Sequence, residues 1–257
     1  MNDLSATIQR LQHPIDAQQA YCCMTAVAGP WPQALCLCRG WVERNLGRHV
    51  EGYHVRLANG EVIGHLYYAP SERALFSYDV EPGVVILYCE WIQPRYKRQG
   101  FGTRLFQTLV SDLLQTGVKG ILVEATEFVA QMDYRIYLER GFEWVVSADP
   151  RRLLYLPLTQ PGVRVQQLPL QIRPRRGAPV EILVIQGFPC PYDVSTLVIL
   201  REVAREFGNR VVVREVELSV ETIKTYGAAR GIFVNGKPKL AGAENEDAIR
   251  QAITEEL

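Results

Sequence analysis

No apolar run in this sequence approaches the roughly 20 residues that cross a bilayer. Residues 1 to 30 carry the polar stretch RLQHPIDAQQ where a secretory leader needs an unbroken greasy segment, so the expected setting is the cytoplasm, with no membrane partner. Neither sign of charge is in excess, since Lys plus Arg and Asp plus Glu each total 28. Long-range attraction to nucleic acid is weak on that balance, and no nucleic-acid role is expected. The six cysteines (Cys22, Cys23, Cys36, Cys38, Cys89, Cys190) form no CxxC pair. With His13, His49, His54 and His65 scattered, they make no Cys/His cluster at zinc spacing, so neither a disulfide scaffold nor a metal site is expected. What is present is ordinary for a folded protein: 257 residues, 47% of them apolar and 22% charged, enough for one large domain or two modest ones.

The stretch TQPGVRVQQLPLQIRPRRGAP, from Thr159 to Pro179, holds four prolines, two glycines and four arginines, a composition that resists helix and favours an extended connector. It divides the chain into residues 1–160, a linker over 161–178 and a second domain over 179–257. Within the linker, VRVQQLPLQI could add an edge strand. In the first block, PQALCLCRGWVERNL has the spacing of an amphipathic helix, and GYHVRLANGEVIGHLYYA reads as a hairpin turning at Asn59 and Gly60. Then come a strand in GVVILYCEWI, a helix in TRLFQTLVSDLLQTG, a strand in KGILVEAT and a short helix in MDYRIYLERGF closed by Gly141. Strand, glycine turn, helix, strand, helix is an α/β layout with two parallel strands around a right-handed crossover.

Between that first strand and its helix lies QPRYKRQGFGTRLF. Gly100 and Gly102 let the backbone pass close to a ligand, and a helix beginning near Thr103 aims its unpaired N–H groups back at the loop. Amides from Arg98 to Thr103, helped by the positive helix end and by Lys97 or Arg98, suit a pyrophosphate. The Walker pattern needs a GK[ST] ending and the dinucleotide fingerprint a third glycine, and the loop has neither.

On these residues, residues 5 to 158 resemble the GNAT acetyltransferases, whose acetyl-CoA loop reads Q/R-x-x-G-x-G/A between a strand and a helix. Here the loop is Lys97, Arg98, Gln99, Gly100, Phe101 and Gly102, with lysine in the first place; WIQP before RYKRQG and the later YLERGF also fit the family. The resemblance implies a mixed α+β sheet, the acyl-CoA N-acyltransferase fold, with acetyl-CoA as co-substrate and no metal. It implies that Lys97 to Thr103 hold the diphosphate, that backbone near Ile92 polarises the thioester carbonyl, and that an amine attacks directly. Tyr137 in YLERGF stands where a phenol often protonates the departing thiolate; packing is its plain alternative, and Tyr134 the substitute one turn earlier. Glu90, two residues before Ile92 and on the same face, is the base candidate, against the plain reading of a carboxylate paired with an arginine. Glu124 is a second candidate, and a water chain is the third route. Trp31 to Tyr78 would set the acceptor, which the sequence does not identify; the oligomeric state is equally unreadable, a homodimer being one option.

From Pro179 onward, strand, turn, helix, strand, helix, an Asn235–Gly236 hairpin and a closing helix from Glu244 resemble a thioredoxin-like domain, and the combination resembles the YoaP-like acetyltransferases. Cys190 would stand at a helix N-terminus, where a thiol pKa falls. Asp193 occupies the place of the second cysteine of dithiol members, and Arg230 or Gly231 that of the usual cis-proline. Dithiol exchange is therefore excluded, leaving a recognition domain or a monothiol role for Cys190. Three functions follow from the sequence: an N-acetyltransferase, a non-catalytic acyl-CoA-binding module, or a thiol-dependent protein acting through Cys190.

Overall fold

The computed structural model describes residues 5–24, 28–127, 132–146, 152–177, 179–186, 190–240 and 244–257. The chain folds into two compact units. The first comprises Met1–Cys23, Val42–Ala74 and Val80–Gln166. The second draws on Met24–Trp41 and Leu75–Asp79 as well as Gln167–Leu257, segments that no shift in composition marks.

Strand β1 (Ala6–Arg10) precedes helix α1 (Trp31–Asn45), and β2 (Glu51–Leu57) and β3 (Val62–Pro70) form the expected hairpin. Only Gly60 of its turn adopts a left-handed φ, +88°. After β4 (Tyr78–Val80), the chain runs through β5 (Val84–Ile92), α2 (Phe101–Gln115), β6 (Gly120–Ala125), α3 (Tyr134–Glu139), β7 (Glu143–Val146) and β8 (Arg152–Pro157). Seven strands make one sheet in the order β1-β2-β3-β5-β6-β8-β7. Only β5 and β6 pair in parallel; the other neighbours are antiparallel. This is the mixed sheet that the resemblance implies, holding the parallel pair that the strand–turn–helix–strand order predicts, with β1, β7 and β8 added at its edges.

Helix α2 starts at Phe101, two residues before the expected Thr103, so Gly100 is its N-cap and Gly102 lies inside its first turn. It buries Phe101, Leu105, Phe106, Leu109 and Leu113, a 3.6-residue stripe against the sheet. At about 2 kcal/mol per fully buried large side chain, this face is a principal stabiliser of the unit. Tyr53, Val55, Leu66, Leu87, Ile121, Val123, Tyr137 and Leu154 complete the same core.

A strand β9 (Val165–Gln167) forms in the connector. The second unit then has β10 (Val180–Gln186), α4 (Pro191–Glu206), β11 (Val211–Glu217), α5 (Val220–Tyr226), β12 (Gly231–Val234), β13 (Lys237–Leu240) and α6 (Glu246–Thr254). Its sheet order is β11-β10-β12-β13, with β10 and β11 parallel around α4. The segment CPYD opens α4: Cys190 is the N-cap, at the helix N-terminus where the sequence puts it, and Pro191 is the first helical residue, where a proline's missing N–H is harmless. The β12–β13 hairpin turns on Asn235 (φ +48°) and Gly236 (φ +75°), both left-handed as a tight two-residue turn requires. The connector is bound to this unit by Gln171 N–H to Tyr226 O and Arg175 N–H to Asn235 O, each 2.9 Å. No helix among the described residues is long and apolar enough to cross a membrane.

Candidate functional site

The site lies where β5 leaves β6. The two strands pair from Val84–Leu87 opposite Gly120–Val123 and no further, although β5 continues to Ile92. The register against β3 shows the cause. Tyr67 pairs with Cys89 and Tyr68 with Leu87, so Tyr88 is an extra residue, and such a bulge bends its strand and increases the local twist. Beyond it, β5 runs on outside the ladder with β6. There the Glu90 N–H donates to the Sδ of Met132 at 3.3 Å.

The glycine loop follows immediately. Arg98 (φ +60°) and Gly100 (φ +80°) are both left-handed, which turns the backbone into the start of α2. Among the described residues, the amides of Phe101, Gly102 and Thr103 find no acceptor in the chain; the first return bond is Arg104 N–H to Gly100 O at 3.0 Å. Lys97, Arg98, Gln99, Gly100 and Thr103 are exposed. Phe101 and Ile92 have the opposite role, with side chains 5% and 8% exposed in the core, so they anchor the loop and offer only main chain to a ligand. Lys97 Nζ rests 4.6 Å from the Trp91 ring centroid, and Arg95 is paired with Glu61. A Cβ built on Gly102 would lie 3.5 Å from Ile92 Cγ1 and 3.7 Å from Glu90 Oε1, which sets the loop directly against the end of β5. Unpartnered amides, a positive helix end and nearby cations together form an anion cradle.

Glu90 is engaged by Arg140. Nη1 donates to Oε2 at 2.5 Å and Nη2 to Oε1 at 2.8 Å, a two-pronged pair with side chains 9% and 20% exposed. The carboxylate holds Arg140, whose guanidinium also lies over Phe106 at 4.5 Å, and this geometry argues against a free general base. The plain reading of an arginine-paired carboxylate describes what is observed. Arg140 itself, in YLERGF, went unread as a site residue because only the register between β5 and α3 reveals its partner.

Tyr137 is buried, packed edge-on against Phe142 at 5.2 Å. Its hydroxyl donates to Met132 Sδ at 3.1 Å. Burial, and then the neighbouring Glu90 charge, push the phenol well above its ordinary pKa, so it carries its proton throughout the neutral range. Tyr134 lies apart from this group, its ring covered by Trp144 at 5.4 Å and the Arg152 guanidinium at 4.6 Å. Glu124 is the first β6 residue beyond the β5 pairing and sits opposite Leu153 of β8.

The other face of β5 carries a second buried group. His65 Nδ1 lies 3.3 Å from Cys22 Sγ and Nε2 lies 3.4 Å from Cys89 Sγ, with the ring stacked on Tyr67 at 4.7 Å. Burial lowers His65 to about 3 and raises Cys22. His65 and Cys22 stay neutral, which makes them core rather than acid–base machinery. In the second unit, Cys190 is half-buried at the N-terminus of α4 with Asp193 in the first turn, and Tyr192 packs edge-on against Trp31 at 5.5 Å.

Residues 21–142 match the model of the acetyltransferase (GNAT) family. Part of the chain is similar to a protein described as a probable thioredoxin from Methanothermobacter marburgensis, at 29% identity over 82 residues, 30% of this chain and 96% of that protein. Among solved structures, the chain is similar to an acetyltransferase assigned to the GNAT family from Desulfovibrio desulfuricans, with 17% identity, TM-score 0.46, and 60% of this chain and 100% of that one covered. It is also similar to a GNAT family N-acetyltransferase from Escherichia coli in complex with CoA, with 18% identity, TM-score 0.44, and 62% and 84% covered.

Proposed function

We propose that the first unit is an acetyl-CoA-dependent N-acetyltransferase acting on the amine of a small molecule or peptide, and that the second unit is a thioredoxin-like domain that helps to recognise the acceptor. The observation that carries this reading is the anion cradle at Gly100–Thr103 set against the open edge of β5. The family match over residues 21–142 supports it. For the second unit the support is the 82-residue likeness to a probable thioredoxin.

In this reading the main-chain amides of Phe101, Gly102 and Thr103 hold the diphosphate of the donor, with Lys97, Arg98 and Gln99 at the rim. The pantetheine arm lies along β5, and the amide of Glu90 or of a residue toward Ile92 donates to the thioester oxygen as it gains negative charge. The amine nitrogen attacks the acetyl carbon, the carbon–sulfur bond breaks, and the amine gives its surplus proton to water. Tyr137 donates its O–H to the departing sulfur. Its raised pKa keeps the donor loaded but makes complete transfer uphill, so the phenol stabilises the developing thiolate and solvent supplies the final proton. Glu90 and Arg140 hold the end of β5 and the first turn of α2 in place.

The test is thiol release from acetyl-CoA over a panel of amines, aminoglycosides, amino acids and peptide N-termini. Turnover with at least one amine is expected, and Tyr137→Phe should lower kcat about a hundredfold while CoA affinity by calorimetry stays within a fewfold. Tight CoA binding with no turnover on any acceptor would instead favour a module that binds acyl-CoA without chemistry.

A further inference from the structure

Met132 is built into the mouth of the β5–β6 opening in an unusual way. It is one of four described non-glycine residues with a left-handed φ, +47°, a conformation that is strained for a methionine. Its main chain is pinned, since Thr126 N–H donates to Met132 O at 2.9 Å and Tyr134 N–H to Thr126 O at 3.0 Å. Its side chain is aimed inward against the core. There the sulfur receives two hydrogen bonds, from the Glu90 amide at 3.3 Å and the Tyr137 hydroxyl at 3.1 Å. These are a main-chain donor of the open strand edge and a buried phenol, converging on one weak acceptor.

We propose that Met132 is a specificity-determining residue of the donor site: its thioether stands in the place of the donor's thioester, and its side chain sets how long an acyl group can enter. This rests on the acetyltransferase reading above. A thioester presents a carbonyl oxygen and a sulfur, two acceptors for the two donors that now share one. The pinned backbone means that the donor displaces the side chain alone, through three flexible torsions, and a thioether is an adaptable group that gives way cheaply. The sulfur thus keeps both donors satisfied while the donor is absent, and the displaced side chain becomes a wall of the acyl pocket.

The chain has three methionines, Met1, Met24 and Met132, so methyl-13C-methionine NMR of the full protein resolves the question. The Met132 signal is assigned by its loss in Met132→Leu. Titration with acetyl-CoA should shift that signal in step with binding measured by calorimetry and leave Met24 unmoved. Met132→Ala should raise kcat/KM for butyryl-CoA relative to acetyl-CoA about tenfold or more, because two methylenes gain room. Met132→Leu keeps the bulk but not the acceptor, so it should lower KM for acetyl-CoA a fewfold without changing the acyl preference. Acetyl-CoA binding with an unmoved Met132 signal, or an unchanged acyl preference in folded Met132→Ala, overturns the inference and leaves the acetyltransferase reading intact. Failure of the wild-type protein to bind acetyl-CoA at all overturns both.

Discussion

Each unit of this protein contains a strand, a turn, a helix and a parallel strand, and the two versions differ in one decisive respect. In the second unit β10 stays paired with β11 along its whole length, Val180–Gln186 opposite Val211–Glu217. In the first unit β5 leaves β6 after Leu87, at the bulge created by Tyr88, and runs on to Ile92. A fully paired ladder satisfies its own amides and has nothing to offer a ligand, whereas an opened one must find acceptors elsewhere. The helix ends differ in the same sense. The N-terminus of α2 follows two cations and Gly100, while that of α4 begins with Pro191, which lacks an N–H, and carries Asp193 in its first turn. In the first unit, unlike the second, a helix N-terminus follows a strand that has already left its parallel partner.

The largest expected effect tests what holds β5 open. Arg140→Ala removes the counter-charge of a Glu90 carboxylate that is 9% exposed. Stability should fall by about 3–5 kcal/mol in urea titration, with hydrogen exchange accelerating in β5 ahead of β10. A loss below about 1 kcal/mol, the value of a surface pair, would mean that packing alone sets the opening.

Acid should separate the units next. All four histidines lie in the first unit, and burial lowers His65 to about 3 and His54 to about 4 from the ordinary 6.5. Between pH 6.5 and those values the unfolded chain takes up protons that the folded one refuses, so stability is full above pH 6.5 and is lost as the pH falls. At pH 5 the loss should be about 2 kcal/mol per histidine. Exchange protection corrected for intrinsic rates should drop in β3 and persist in β10, and His65→Phe should abolish its share. Equal losses in both units would refute that origin.

Last comes the cradle. Gly100→Val places a branched side chain at φ +80°, which costs about 1–2 kcal/mol in backbone strain and should weaken CoA binding about tenfold in calorimetry. Cys190→Ala should leave that affinity unchanged. A reversal of the two results would move the ligand to the second unit.

Several features were legible in the sequence because they depend on neighbours in the chain. The Asn59–Gly60 and Asn235–Gly236 turns, the stripe of α2 and the glycine loop all appear where local spacing and turn chemistry put them. Strands β1, β7 and β8 were not legible: they are short segments with little alternation, held by the sheets they join. Glu90 was read as a candidate base from its place on the strand, but its partner Arg140 is 50 residues away. The sequence puts Met132 at the head of the short helix MDYRIYLERGF, whereas α3 starts at Tyr134, and nothing local signals that its sulfur faces two donors.

The sequence by itself determined the helices, the hairpins, the central strands and the loop, since 3.6-residue and two-residue periodicity and the freedom of glycine act over a few residues. The tertiary structure alone decided where β5 parts from β6, that Arg140 occupies the Glu90 carboxylate, and that Tyr137 and the Glu90 amide meet at Met132. Those outcomes depend on register, a bulge and the packing of α3 against the sheet. They are settled by contacts among residues that no local pattern links.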